Sequence, residues 1–315
     1  MSIVKQSLLL IAGVMLSQLV FAADLNRGLL DSAIIGDYEG IQKLLAKGAN
    51  PNAKSRFGKS ALMFAAENGN HEVVRLLLDK GADINARSLV GCTALTYAAE
   101  NGHNEMVKHF LTQGAKTYPK TRAGWDALAM AVRQNHTNVV RTLIKHHANV
   151  NTSDKDGETA LMAAASRNHP AIAKLLLEAD ADVHVRDKEG MSAMMLAACK
   201  GNVDMAALLI RHGANVNAIN NDGETALFCS AAAGHTDVLD LLLKQKANIN
   251  HRDQSGETAL FAATLNRQFH TVRFLLQHGI DRLIRNNNAQ TARDVALKMR
   301  LHDIADLLKQ TGQNQ

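Results

Sequence analysis

Seven glycines set the frame for the whole chain. Gly58, Gly91, Gly124, Gly157, Gly190, Gly223 and Gly256 recur every 33 residues with no insertion or deletion, and Ala289 takes the next place. A fixed period of this size marks an array of small supersecondary units, none of which can bury its apolar face alone. A chain of 315 residues could otherwise divide into two globular domains. In an array, stability is a sum of unit and neighbour terms, so residues 23–315 are expected to form one elongated domain.

Residues 154–186 give a clear copy of the unit, DKDGETALMAAASRNHPAIAKLLLEADADVHVR. It opens with Asp154, Lys155, Asp156 and Gly157, which supply tight-turn chemistry. Thr159 then precedes Ala160, Leu161 and Ala163–Ala165, residues that favour a helix. The place of Thr159 holds Ser60, Thr93, Asp126, Ser192, Thr225, Thr258 and Thr291 in other copies. Each carries a side-chain oxygen able to accept an orphan N–H of a first helical turn, so the slot predicts a helix N-cap. The first helix should end near Gly69, Gly102, Gly201 and Gly234, where a left-handed turn is cheap. A second helix follows, often opening at a histidine (His103, His136, His169, His235), with Pro170 at a first helical position. Gly81, Gly114, Gly213 and Gly279 close it, and Asn149-Val150-Asn151 or Asn215-Val216-Asn217 leads into the next turn.

Gly-x-Thr-Ala-Leu-x-x-Ala-Ala, then Gly-His, Val-Val-x-x-Leu-Leu and Gly-Ala-Asp/Asn-x-Asn at this period resembles the ankyrin repeat. The resemblance covers nine copies, about 24–54, 55–87, 88–120, 121–153, 154–186, 187–219, 220–252, 253–285 and 286–314. It implies an all-α solenoid of stacked helix-turn-helix units with protruding turn or hairpin tips. The family's Thr-Pro-Leu-His is here Ser-Ala-Leu-Met (Ser60–Met63), Thr-Ala-Leu-Met (Thr159–Met162) or Thr-Ala-Leu-Phe (Thr225–Phe228). Loss of that histidine removes a polar contact usual in the family, which shifts stabilisation toward packing. Aromatics make up only 4% of the chain, in keeping with closely stacked small-residue helices. Lys298, Arg300, Asp303, Asp306 and Lys309 read as a polar cap on the last unit.

The N-terminus has a different pattern. Lys5, the apolar run Leu8–Phe21 and Val20-Phe21-Ala22 form the three parts of a secretory signal peptide, residues 1–22, with cleavage after Ala22. Ser17 and Gln18 interrupt a run already shorter than the roughly 18 residues that span a bilayer. The mature protein is therefore expected in the periplasm, or secreted beyond it, with no membrane span and as a monomer. Three cysteines imply no disulfide framework. Cys229 occupies an apolar first-helix slot and is assigned to the core, whereas Cys92 and Cys199 map to exposed slots.

The chemistry-bearing residues form no catalytic pattern. His103, His136 and His169 hold the same slot of successive units, about 8–10 Å apart at helix–helix spacing. Zinc ligands lie about 2 Å from their metal, so the column cannot share one ion, and no metal or other cofactor is implied. Gly58-Lys59-Ser60 lacks the glycine and strand that a phosphate-binding loop needs. The acidic turns Asp154/Asp156, Asp187/Glu189 and Asp222/Glu224 lack the alternating ligands of a calcium loop. The chain reads as a non-enzyme. Its net charge of +5, +4 without Lys5, lacks the strong basic stripe that nucleic-acid binding requires.

Repeats share buried positions and differ at exposed ones, so function should be written at the turn tips. Trp125, the only tryptophan, is expected to be solvent-exposed and to anchor a partner. Phe57, Leu89 and Val90 extend its apolar stripe, while Arg56, Lys59, Arg122 and Arg133 steer an acidic partner toward it. Aromatics beside arginine are the residues most often found at binding hot spots. Ala115-Lys116-Thr117-Tyr118-Pro119 departs from the repeat consensus close to Trp125. The rival reading folds Trp125 onto its own repeat as packing. The leading expectation is an exported scaffold that binds a protein bearing acidic and apolar patches through the tips and concave face of repeats 2–4. The alternatives are a structural role assembling or shielding an envelope enzyme, and a secreted effector acting on a host protein.

Overall fold

The cap pattern determines where each helix starts. In the computed structural model, which describes residues 22–309, all eight expected capping residues stand at helix N-caps with extended backbone. Seven of them accept an N–H of the first turn, as Asp126 Oδ1 does from Ala129 at 2.9 Å. Thr258 is the exception: it makes no capping bond, and its buried Oγ1 has no partner. The leader expected at residues 1–22 lies, but for Ala22, outside the described residues.

Eighteen helices result among the described residues. The first repeat contributes α1 (22–35) and α2 (Tyr38–Ala46). The next three give α3 (Ala61–Glu67), α4 (His71–Asp79), α5 (Ala94–Glu100), α6 (Asn104–Thr112), α7 (Ala127–Arg133) and α8 (Thr137–Lys145). Then follow α9 (Ala160–Ser166), α10 (Pro170–Glu178), α11 (Ala193–Cys199), α12 (Val203–Arg211), α13 (Ala226–Ala233) and α14 (Thr236–Lys244). The last two repeats supply α15 (Ala259–Leu265), α16 (Phe269–Gln277), α17 (Ala292–Lys298) and α18 (His302–Lys309). Pro170 opens α10 at its first position, where a missing N–H loses nothing.

The chain divides into two compact units, one ending at Asn149 and one beginning at Val150. In the first, inner helices α3, α5 and α7 stack in order; in the second, α9, α11, α13, α15 and α17 do the same. Alanines such as Ala65, Ala98, Ala131, Ala198 and Ala231 are fully buried and permit close approach of the helices. Leu161 and Leu227 are each only 1% exposed, as their slot requires. Where the family's histidine is lost, Met63, Met162, Met195 and Phe261 are buried instead, so packing fills that place. The asparagines that lead into each turn join neighbours: Asn52 Oδ1 accepts from Asp83 N–H, and Asn217 Oδ1 from Asn248 N–H, both at 2.8 Å or less.

The histidine column has a further use. His103 and His136 are N-cap residues whose side chains do not cap. Their Nε2 atoms reach back to carbonyls of the preceding repeat, Glu67 at 3.0 Å and Glu100 at 2.9 Å. They fasten one repeat to the next.

Candidate protein-binding face

Glycine at the tip decides which side chains face out. Gly58 has φ +73°, and a Cβ placed there would lie 2.8 Å from the Leu89 nitrogen of the next tip. That backbone turn sends its two predecessors outward and its successor inward. Every copy follows the rule: the two residues before the tip position are exposed in all eight, and the residue after it in none. Phe57, Leu89 and Val90 accordingly stand 59%, 56% and 49% exposed. Arg56 and Arg122 are exposed beside them, and the Arg56 guanidinium lies 4.6 Å from the centre of the Phe57 ring.

Main-chain hydrogen bonds hold these tips in register. Leu89 N–H donates to Phe57 O at 3.0 Å, and Arg122 N–H donates to Val90 O at 2.8 Å. Arg87, through its guanidinium, braces the Lys120 carbonyl. The stripe Phe57–Leu89–Val90–Arg122 is thus a fixed ledge.

The same rule corrects three expectations, and a fourth falls with one of them. Trp125 follows Gly124, so it turns inward and is half-buried; Arg133, at the end of α7 in its own repeat, stacks on it at 4.0 Å. The reading of Trp125 as a side chain packed on its own repeat is the one realised, and Arg133 covers the ring instead of standing free as a steering charge. Lys59 is likewise drawn in. Its ammonium pairs with Glu67 at 2.5 Å and lies 4.7 Å and 4.2 Å from the Phe64 and Tyr97 ring centres. Cys92, assigned to an exposed slot, is buried at 6% exposure, with its N–H held by Ser88 Oγ.

Sequence reasoning missed the inner cluster that Lys59 joins. Phe64 and Tyr97 share one slot of α3 and α5, while Glu67 and Glu100 share another three residues on. Burial pushes the Tyr97 hydroxyl up to about 12, and burial with the nearby Glu67 charge raises the Glu100 carboxyl. Burial also raises the Cys92 thiol. An aromatic four residues and a glutamate seven residues after the N-cap in consecutive copies were the available signal. Tyr118 was also left out of the candidate site; it is 66% exposed with the Lys116 ammonium 5.7 Å from its ring. Among the described residues, no three His, Cys, Asp or Glu side chains converge on a point that could hold a metal ion.

Comparison with known families decides the wider identity. The family described as ankyrin repeats (3 copies) matches residues 29–121, 105–187 and 179–253, and ankyrin repeats (many copies) matches 231–276. The chain belongs to the ankyrin-repeat family. Ankyrin repeats generally mediate protein–protein interaction, and a rigid ledge of exposed apolar side chains is consistent with that use. No curated protein matches the chain. No described helix is long and apolar enough to cross a membrane.

Proposed function

We propose that this ankyrin-repeat protein is an exported, monomeric scaffold that binds another protein through repeats 2–4. Phe57, Leu89 and Val90 form the contact ledge, and Arg56 and Arg122 draw in an acidic rim of the partner. Apolar side chains about half exposed or more on consecutive, hydrogen-bonded tips support this reading. The ledge is preformed, so little conformational entropy is lost on association. Trp125 and Arg133 lie inward of it as a second layer that a deeper-reaching partner segment would touch. The signal pattern of residues 1–22 supports delivery to the periplasm with Ala23 as the mature N-terminus, which N-terminal sequencing of processed protein tests.

The binding test compares partners retained from periplasmic extract by wild type, Leu89→Asp and the control Leu283→Asp, whose side chain is 71% exposed in the last third of the chain. A discrete partner kept by wild type and the control but lost by Leu89→Asp is the expected outcome. Equal retention by all three would remove the ledge from the proposal.

A further inference from the structure

The inner-face slots that carry Glu67 and Tyr97 in the first unit carry two thiols in the second. Cys199, the last residue of α11, holds the slot of Glu67, and Cys229 of α13 holds the slot of Tyr97 in the following repeat. The two are neighbours across the α11–α13 interface, as Glu67 and Tyr97 are across α3–α5. Both line one shallow open groove with Glu224, Phe228, Ala232 and Asn266, and each is half-buried and free. The two thiols lie close enough to perturb each other's protonation. This corrects the assignment of Cys229 to the core and of Cys199 to an exposed slot, since both are half-buried at one groove.

We propose that Cys199 and Cys229 form a thiol–disulfide exchange site, with Cys199 the attacking thiolate and Cys229 the resolving thiol, whose substrate is a small-molecule disulfide. The asymmetry has a physical cause. The neighbouring Cys229 thiol draws the Cys199 thiol below its ordinary range, and the flanking Lys200 ammonium acts in the same direction. The same interaction with Cys199, burial and the Glu224 charge push the Cys229 thiol up. Glu224 is itself held by Asn220 Nδ2 at 2.9 Å, so its carboxylate stays beside the pair. The thiolate is the attacking species, so the lowered thiol reacts first. The groove leaves it accessible, whereas Cys92 is buried in the other unit.

The chemistry balances in two steps. The Cys199 thiolate attacks one sulfur of R–S–S–R; that S–S bond breaks, RS⁻ leaves and takes a proton as RSH, and a Cys199–S–S–R bond forms. Cys229 then loses its proton to water and attacks the Cys199 sulfur, expelling the second RS⁻, which is protonated in turn. Two protein thiols are oxidised and one disulfide is reduced to two thiols. The product staples repeats 187–219 and 220–252 across their inner helices.

The test uses the reduced full chain and oxidised glutathione, followed by denaturation, maleimide labelling and intact-mass and peptide mapping. Wild type should lose two hydrogens in mass, stay monomeric, yield a Cys199–Cys229 linked peptide pair and keep Cys92 labelled. Cys229→Ser should stop at a glutathione adduct on Cys199. Cys199→Ser should react at least about tenfold more slowly, because burial and the Glu224 charge still raise the remaining Cys229 thiol. A lasting glutathione adduct on wild type, a bridge involving Cys92, or no reaction of the native chain would each overturn the proposal. The wild-type arm stands even if a serine variant folds poorly.

Discussion

The two units share one scaffold and differ in what they write on it. In the unit ending at Asn149, exposed tip positions carry Phe57, Leu89 and Val90 with Arg56 and Arg122; in the other they carry Asp156, Glu189 and Asp222 with Lys155, Lys188 and Asn221. On the inner face, the slots filled by Glu67 and Tyr97 in the first unit hold Cys199 and Cys229 in the second. The capping residues and buried leucines, in contrast, repeat through both. Local backbone rules fix the shared positions, while the tip and inner slots differ between the units.

The largest expected effect tests the shared scaffold. Leu95 in the first unit and Leu161 in the second are each 1% exposed in the same slot. Truncation of either to alanine should destabilise its unit by about 2–5 kcal/mol. Denaturant midpoints of the two variants, against exposed Lys188→Ala, measure it. A large loss at one site and none at the other would break the claim that both units rest on the same core.

Next in size is the contrast between the tips. Leu89→Ala should weaken partner binding by about 2 kcal/mol or more if the ledge is a hot spot, with most of the change in dissociation rate. Arg122→Ala should act more on association rate and salt dependence, as a rim charge does. Asp222→Ala, at an equivalent tip of the second unit, should leave affinity unchanged in surface-binding kinetics. Equal effects of Leu89→Ala and Asp222→Ala would mean that binding is spread over the array.

Two caps sharpen the comparison at the level of single hydrogen bonds. Thr93 takes part in a reciprocal capping box with Thr96, whereas Thr258 makes no capping bond and buries an unpartnered hydroxyl. Thr93→Ala should lower stability by about 1 kcal/mol. Thr258→Val, which removes the unsatisfied group while keeping shape, should be neutral or stabilising. Thermal unfolding of both variants decides it.

The smallest effects are opposite in sign. Glu100 in the first unit titrates above its ordinary range because of burial and the Glu67 charge. A raised carboxyl favours the neutral form in the folded state, so ionisation subtracts stability as pH rises past the ordinary glutamate value of about 4.3. Asp294 in the second unit titrates low because Thr291 N–H and Oγ hydrogen-bond its carboxylate. Its contribution is present above the ordinary aspartate value of about 3.9 and is lost on acidification. Glu100→Gln should therefore raise the denaturant midpoint near neutral pH, and Asp294→Asn should lower it, with both differences shrinking in acid. Two shifts of the same sign would contradict the assigned environments.

Much of this protein was legible before its structure. The period, the eight capping positions and the buried leucines of the first helix all follow from turn, cap and helix chemistry. The tip residues Phe57, Leu89, Val90, Arg56 and Arg122 were also readable, because the slots before a tip glycine have nowhere to go but outward. Arg133 was misplaced because it covers the Trp125 ring from the end of α7; Lys59, Cys92 and Trp125 were misplaced for one shared reason. A left-handed glycine reverses the chain, so the next side chain points toward the inner helices, and residue type carries no mark of that direction.

Sequence by itself therefore determined the unit, its period, the helix starts and stops, and which positions could vary. Those depend on contacts within a few residues, which the chain order fully specifies. Only the tertiary structure decided that Lys59 meets Glu67 and Tyr97, that Arg133 covers Trp125, and that Cys199 faces Cys229. The Lys59–Tyr97 and Cys199–Cys229 pairs join residues about one repeat apart, and they are fixed by how neighbouring helices stack. Period 33 says that such neighbours exist; the packing of α3 on α5 and of α11 on α13 says which side chains touch.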